Sequence, residues 1–178
     1  MTFGKSALAR ISVLIGCMAL TAGTALARTD VPPSRVQVTW APAEQLSEVK
    51  DNQVRRGWMR VNDWQTGLSD YFATRADRYL APGQQLQIMV DDIHLAGAFE
   101  PWHGPSLDDV RYYKDIYPPH INLHYRLLAA DGSVMREADA RLSDLGYLQR
   151  SVAFQTDPLR YDKRMIDDWL RTEFGPPR

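Results

Sequence analysis

The stretch "HINLHYRLLAADGSVMREADARLSD", residues 120–144, leaves this chain the least freedom. Asp131-Gly132 lies between two alternating runs, a strong signal for a two-residue hairpin turn. Placing residue 130 opposite 133 fixes every other pair. Ile121 then faces Leu142, Leu123 faces Ala140 and Tyr125 faces Ala138 on one side. On the other side Arg126 meets Glu137, His124 meets Asp139 and Asn122 meets Arg141. Apolar meets apolar and charge meets counter-charge, the cross-strand pairing that stabilises an antiparallel ladder. A one-residue slip would turn all of these side chains to the wrong face. The chain is therefore committed to an antiparallel sheet with one buried side.

The segments before and after the hairpin supply the rest of a layer structure. "RVQVTW" (residues 35–40) alternates and reads as a first strand, with room for a bulge or edge between Val36, Val38 and Trp40. "APAEQLSEVKDNQVRRG" is polar and holds one or two helical turns at most. From Asn62 the period becomes helical: Trp64, Leu68, Tyr71, Phe72, Tyr79 and Leu80 fall near one stripe, the spacing that core burial demands. Asn62 and Gln65 have the shape of a capping box, and Ala81-Pro82-Gly83 ends the helix.

In "QQLQIMV" Leu86, Ile88 and Val90 share a face, after which the apolar phase jumps to Ile93 and Leu95. Asp91 and Asp92 sit at the jump, where a bulge would leave both acids in solvent. Residues 96–119 form a long connection, in which "PSLDDVRYYKD" predicts a small helix capped by Ser106 with Asp108 and Asp109 at its positive end. Asp157-Pro158 opens the last helix, whose stripe is Met165, Ile166, Trp169, Leu170 and Phe174. The order predicts an α+β fold: a two-layer sandwich with a mainly antiparallel sheet of about four strands and two main helices on one face.

The N-terminus addresses compartment. Lys5 and Arg10 precede the uncharged apolar run "ISVLIGCMALTAGTALA", and Ala25-Leu26-Ala27 supplies a small-x-small cleavage pattern. Residues 1–27 read as a secretory signal, residues 28–35 ("RTDVPPSR") as a linker and 36–175 as a single domain. The expectation is an exported, periplasmic protein with no stable membrane span after signal removal. The alternative is a lipoprotein anchored through Cys17, because "LIGC" resembles a lipoprotein box; against it, only six residues separate Arg10 from Cys17. Cleavage after Ala27 leaves 151 of the 178 residues, enough for a core without disulfides, and removes Cys17, the one cysteine. Losing Lys5 and Arg10 takes the net charge from −1 to −3, which argues against nucleic acid as a partner.

Three pieces, "VQVTW", "LAPGQQLQIMVDDIHLAGAFEPW" and "YDKRMIDDWLRTEF", resemble the domain of unknown function 3016 family. Its most distinctive element is here Asp92-Ile93-His94-Leu95-Ala96-Gly97. The resemblance spans nearly all of the chain after the signal and implies an exported single-domain protein. It implies no reaction, substrate or site residue.

Candidate function centres on residues 91–103. Asp91, Asp92, His94, Glu100 and His103 have ligand chemistry suited to a metal-dependent hydrolase. Asp92 and His94 point one way about 7 Å apart, half a site, but no fixed-spacing motif such as H-E-x-x-H completes it. His120 and His124 lie about 13 Å apart along their strand, too far to share one ion unaided. No nucleophile elbow, phosphate loop or dinucleotide fingerprint is present. No catalytic residue, metal or cofactor is therefore assigned. The favoured expectation is a non-catalytic accessory or binding protein. Phe99 and Trp102, with the acids and histidines around them, would contact another envelope protein or a glycan.

Overall fold

The computed structural model describes residues 34–51, 60–151 and 156–177. The predicted signal and most of the linker lie outside them. The elements in chain order are β1 (Val36–Trp40), α1 (Ser47–Asp51), α2 (Val61–Ala76), β2 (Gln85–His94), β3 (Ala98–Phe99), β4 (Arg111–Tyr112), β5 (His120–Leu128), β6 (Val134–Ser143) and α3 (Arg160–Phe174). Four strands form one sheet in the order β1-β2-β5-β6, and β3 with β4 forms a separate two-stranded ribbon. β1 runs parallel to β2, whereas β2–β5 and β5–β6 are antiparallel. Parallel neighbours need a crossover connection, and α2 supplies it.

The expected α+β sandwich is what the residues build. Leu86, Ile88, Val90 and Ile93 of β2 join Ile121, Leu123 and Tyr125 of β5 in one core with Leu68 and Phe72 of α2 and Ile166 and Leu170 of α3. Trp40 meets Trp64 edge-on at 5.5 Å, and Tyr125 meets Trp169 edge-on at 5.6 Å. Both main helices therefore cover the same face. Gln37, Thr39, Gln87, Met89, His124 and Arg126 line an open groove on the opposite face. β1 pairs with β2 without a shift, so Val36, Val38 and Trp40 share one face and no bulge divides them.

The hairpin register holds from Ile121–Leu142 through Leu127–Arg136, but the turn differs from the two-residue one. Leu128 pairs with Val134, Ala129 N–H donates to the Ser133 carbonyl, and Gly132 has φ 81°. The turn thus carries three residues with glycine in the left-handed position, and an irregularity between Leu127 and Leu128 restores the register. Asp131 adds side-chain bonds from the Ser133 N–H and hydroxyl.

The helix starts also differ. Arg60, with extended backbone, caps α2; its carbonyl accepts the Asp63 and Trp64 N–H groups. Asn62 is already inside the first turn, so no capping box forms. Asp157 and Pro158 precede α3, with Asp157 Oδ1 accepting the Leu159 N–H at 2.8 Å. The predicted helix over 105–115 is a single 3-10 turn, Pro105–Leu107, followed by β4. Pairing of Arg111 with Phe99 draws that backbone into the ribbon, and Arg111 is buried there.

Candidate functional site

The residues from Asp91 to His103 are distributed over several environments. The bulge is present: Val90 pairs with Leu123 and Asp92 with Asn122, leaving Asp91 as the extra residue. Asp91 is exposed, as expected for a bulge residue. Asp92 is not left in solvent. Its Oδ1 accepts the Ser47 N–H at 2.7 Å and its Oδ2 accepts the Ser47 hydroxyl at 2.9 Å. Burial alone would raise this carboxyl, but the Ser47 bonds and the Ile93 N–H outweigh it and hold the pKa below 3.8. Asp92 thus fastens the start of α1 to β2.

His94 faces His120 across the ladder, with the rings stacked at 5.4 Å. His94 Nδ1 lies 3.1 Å from the Leu95 carbonyl, and Nε2 lies 3.7 Å from Asp51 Oδ2. Burial, then the neighbouring His94, lowers the His120 pKa below 6.5. Among the described residues, no group of three or more acids, histidines or cysteines is arranged to hold a metal ion.

Beyond His94 the chain enters a buried polar clamp that the sequence reading missed. The Arg111 guanidinium donates to the carbonyls of Leu95 (2.8 Å), Ala96 (2.7 Å) and Gly97 (2.9 Å) in succession. It also grips Glu48 through two bonds, Nη1 to Oε1 at 2.7 Å and Nη2 to Oε2 at 3.1 Å. Glu48 Oε2 in turn accepts the Leu95 N–H, and Asp162 Oδ1 of α3 accepts the Ala96 N–H. The Leu95-Ala96-Gly97 turn, buried against the core, therefore has its three carbonyls and the Leu95 and Ala96 N–H groups satisfied by three side chains from α1, β4 and α3. Asp162 is fully buried, which pushes its carboxyl up to about 7, and among the described residues its Oδ2 meets no hydrogen-bond partner.

Glu100 and His103 belong to a third cluster. The Glu100 carboxylate is buried and accepts Lys114 Nζ at 2.6 and 2.7 Å, His103 Nε2 at 2.7 Å and the Tyr117 hydroxyl at 2.9 Å. The Lys114 ammonium is the main reason its pKa falls to about 2. A carboxylate so far below neutral pH is poorly matched to general acid–base work. Phe99 is buried beneath the Arg111 guanidinium, at 5.2 Å from its ring, and is a core residue rather than a contact surface. Trp102 is 68% exposed. Its neighbour His103 lies 5.0 Å from the Tyr112 ring.

Of the expected contact residues, the structure thus leaves Asp91, Trp102 and His103 exposed, half-buries His94, and ties Asp92, Phe99 and Glu100 into internal contacts. Ser47, Glu48, Arg111, Lys114 and Asp162 supply the hydrogen bonds that hold this segment in place. They come from segments with no motif spacing. One signal is present in the sequence: the family-like pieces "LAPGQQLQIMVDDIHLAGAFEPW" and "YDKRMIDDWLRTEF" meet in the fold, where Asp162 of the second accepts the Ala96 N–H of the first.

A family model described as a protein of unknown function (DUF3016) matches residues 34–172. No curated protein and no solved structure matches the chain.

Proposed function

The chain belongs to the DUF3016 family, and from that premise we propose that it is an exported, periplasmic, non-catalytic protein that binds another envelope protein through the 96–119 loop. One observation carries this reading: the loop is held at its base by hydrogen bonds and exposes four large apolar side chains. Gly97 N–H bonds the Tyr117 carbonyl at 3.0 Å across the loop's base, Arg111 holds the Ala96 and Gly97 carbonyls, and Glu100 ties Tyr117, Lys114 and His103 together. In the same loop Trp102, Leu107, Val110 and Ile116 are exposed, at 68%, 39%, 41% and 72%. A held loop loses little conformational entropy on binding, and exposed large apolar groups gain most from being covered. Three of the four are aliphatic, which favours a protein surface over a glycan. The reading of residues 1–27 as a signal supports export.

The test is cross-linking in intact cells followed by purification of the adduct. Replacing Trp102 and Ile116 together by alanine is expected to abolish the adduct that the wild type and Asp91→Asn both form. An adduct unchanged by the double variant would refute the loop reading. A stoichiometric metal in the purified protein, lost with Asp92→Ala and His94→Ala, would instead support a hydrolase. Recovery of the protein in the cytoplasm with its N-terminus intact would refute export.

A further inference from the structure

β6 ends the main sheet on one side. The bond from Asp144 N–H to the Pro119 carbonyl sets the alternation of its ladder. Positions 136, 138, 140 and 142 turn their backbone groups into β5, and Glu137, Asp139, Arg141 and Ser143 turn theirs outward. Among the described residues, these outward groups meet no further strand. The edge is ten residues long, without proline or lysine, although proteins commonly use such residues to block edge pairing.

The order of charges on β6 decides what the edge suits. An antiparallel second copy can bond the outward groups only in alternate registers. Centred on Asp139, the pairing sets Asp139 against its own copy; centred on Arg141, it sets arginine against arginine. Centred on Ala140, it sets Asp139 opposite Arg141 of the second copy, twice over, and Glu137 opposite Ser143. On the helix side the same register brings Ala140 to Ala140, Ala138 to Leu142 and Arg136 to Asp144. Among directly opposite positions, apolar meets apolar and charge meets counter-charge, and no like charges face each other. A cavity of about 250 Å³, lined by Leu142, Met165 and Trp169 with Asp144, Arg150 and Asp168 at its polar side, leaves the helix-side flank open beside Leu142, which Ala138 of the second copy would face.

We propose that β6 pairs with β6 of a second copy of this chain about a two-fold axis at Ala140, joining two four-stranded sheets into one. This rests on residues separate from the 96–119 loop. Asp139 is 90% exposed, so changing its charge leaves the core untouched.

Sedimentation equilibrium of the purified chain tests it. The wild type is expected to be dimeric. Asp139→Arg and Arg141→Asp should each weaken the dimer at least about tenfold, because each reversal acts twice across the axis. The double variant Asp139→Arg/Arg141→Asp restores opposite charges and should return the affinity to within about threefold. Amide protons of Asp139 and Arg141 should exchange slowly in the dimer and faster on dilution. A monomeric wild type overturns the proposal. So does a dimer indifferent to the single reversals, or a double variant with wild-type melting that stays monomeric.

Discussion

Arg111 and Glu48, 63 positions apart, form a two-pronged ion pair with both side chains almost completely buried, at 2% and 4% exposure. The pair is built around the backbone of residues 95–97, whose three carbonyls take the remaining guanidinium bonds. Breaking a buried pair leaves an uncompensated charge, so Arg111→Ala and Glu48→Ala should each cost ~3–5 kcal/mol. Arg111→Lys should recover little, because an ammonium lacks the planar fork that reaches carboxylate and carbonyls together. Urea unfolding of the three variants checks this, and a lysine variant as stable as wild type would count against the clamp.

The two bulge aspartates should separate cleanly. Asp91 is exposed, so Asp91→Asn should change stability by no more than ~0.5 kcal/mol. Asp92→Asn weakens the charge-assisted bonds from Ser47 and should cost ~1–3 kcal/mol. Because the native Asp92 pKa is depressed, its contribution is present above 3.8 and lost as pH falls through the native value. Thermal melts at neutral and acid pH measure both effects, and equal shifts for the two variants would contradict the assignment.

How much of this was legible follows from where the interactions reach. The β5–β6 register could be read from residues 120–144 because cross-strand partners there are close in sequence and alternate in type. The bulge was legible too, since a change of apolar phase marks it. The turn was misread because Asp131-Gly132 fits both a two-residue loop and a three-residue loop with Gly132 left-handed; the irregularity after Leu127 hides the difference. The helix over 105–115 was misread because the partners of Arg111, Glu48 and Phe99, lie in other segments. Nothing local in "DDVRYY" distinguishes a buried arginine from an exposed one.

Two carboxyls should shape the pH dependence of stability in opposite directions. Complete burial raises Asp162 from 3.8 to about 7, so the native state binds its proton more tightly than the unfolded chain. That contribution is present below about 3.8 and is lost as pH rises to about 7. Glu100, lowered from 4.5 to about 2 chiefly by Lys114, contributes above about 4.5 and loses that contribution as pH falls toward 2. Urea midpoints should therefore peak on the acid side of neutrality. Asp162→Asn should flatten the decline between pH 4 and 7, and Glu100→Gln should flatten the acid limb. A wild-type midpoint that rises steadily from pH 4 to 7 would count against the buried protonated Asp162.

Gly97 closes the clamp from the backbone side. Its φ is +80°, and a Cβ there would lie 2.7 Å from the Tyr112 carbonyl oxygen and 3.1 Å from the Tyr113 ring. The first of these is main chain in β4, which cannot move without pulling Arg111 from its carbonyls. Gly104 has φ +101° but open space around it, so it supplies the control. Both alanine variants carry the strain of a left-handed residue, ~1–3 kcal/mol. Only Gly97→Ala adds the collision, and it should be the more destabilising of the two. If the clamp also anchors the binding loop, Gly97→Ala should weaken the cellular adduct even at temperatures well below its melt, while Gly104→Ala leaves the adduct intact. Equal melting temperatures for the two variants would show that β4 yields at this contact and that Gly97 is not what sets the turn.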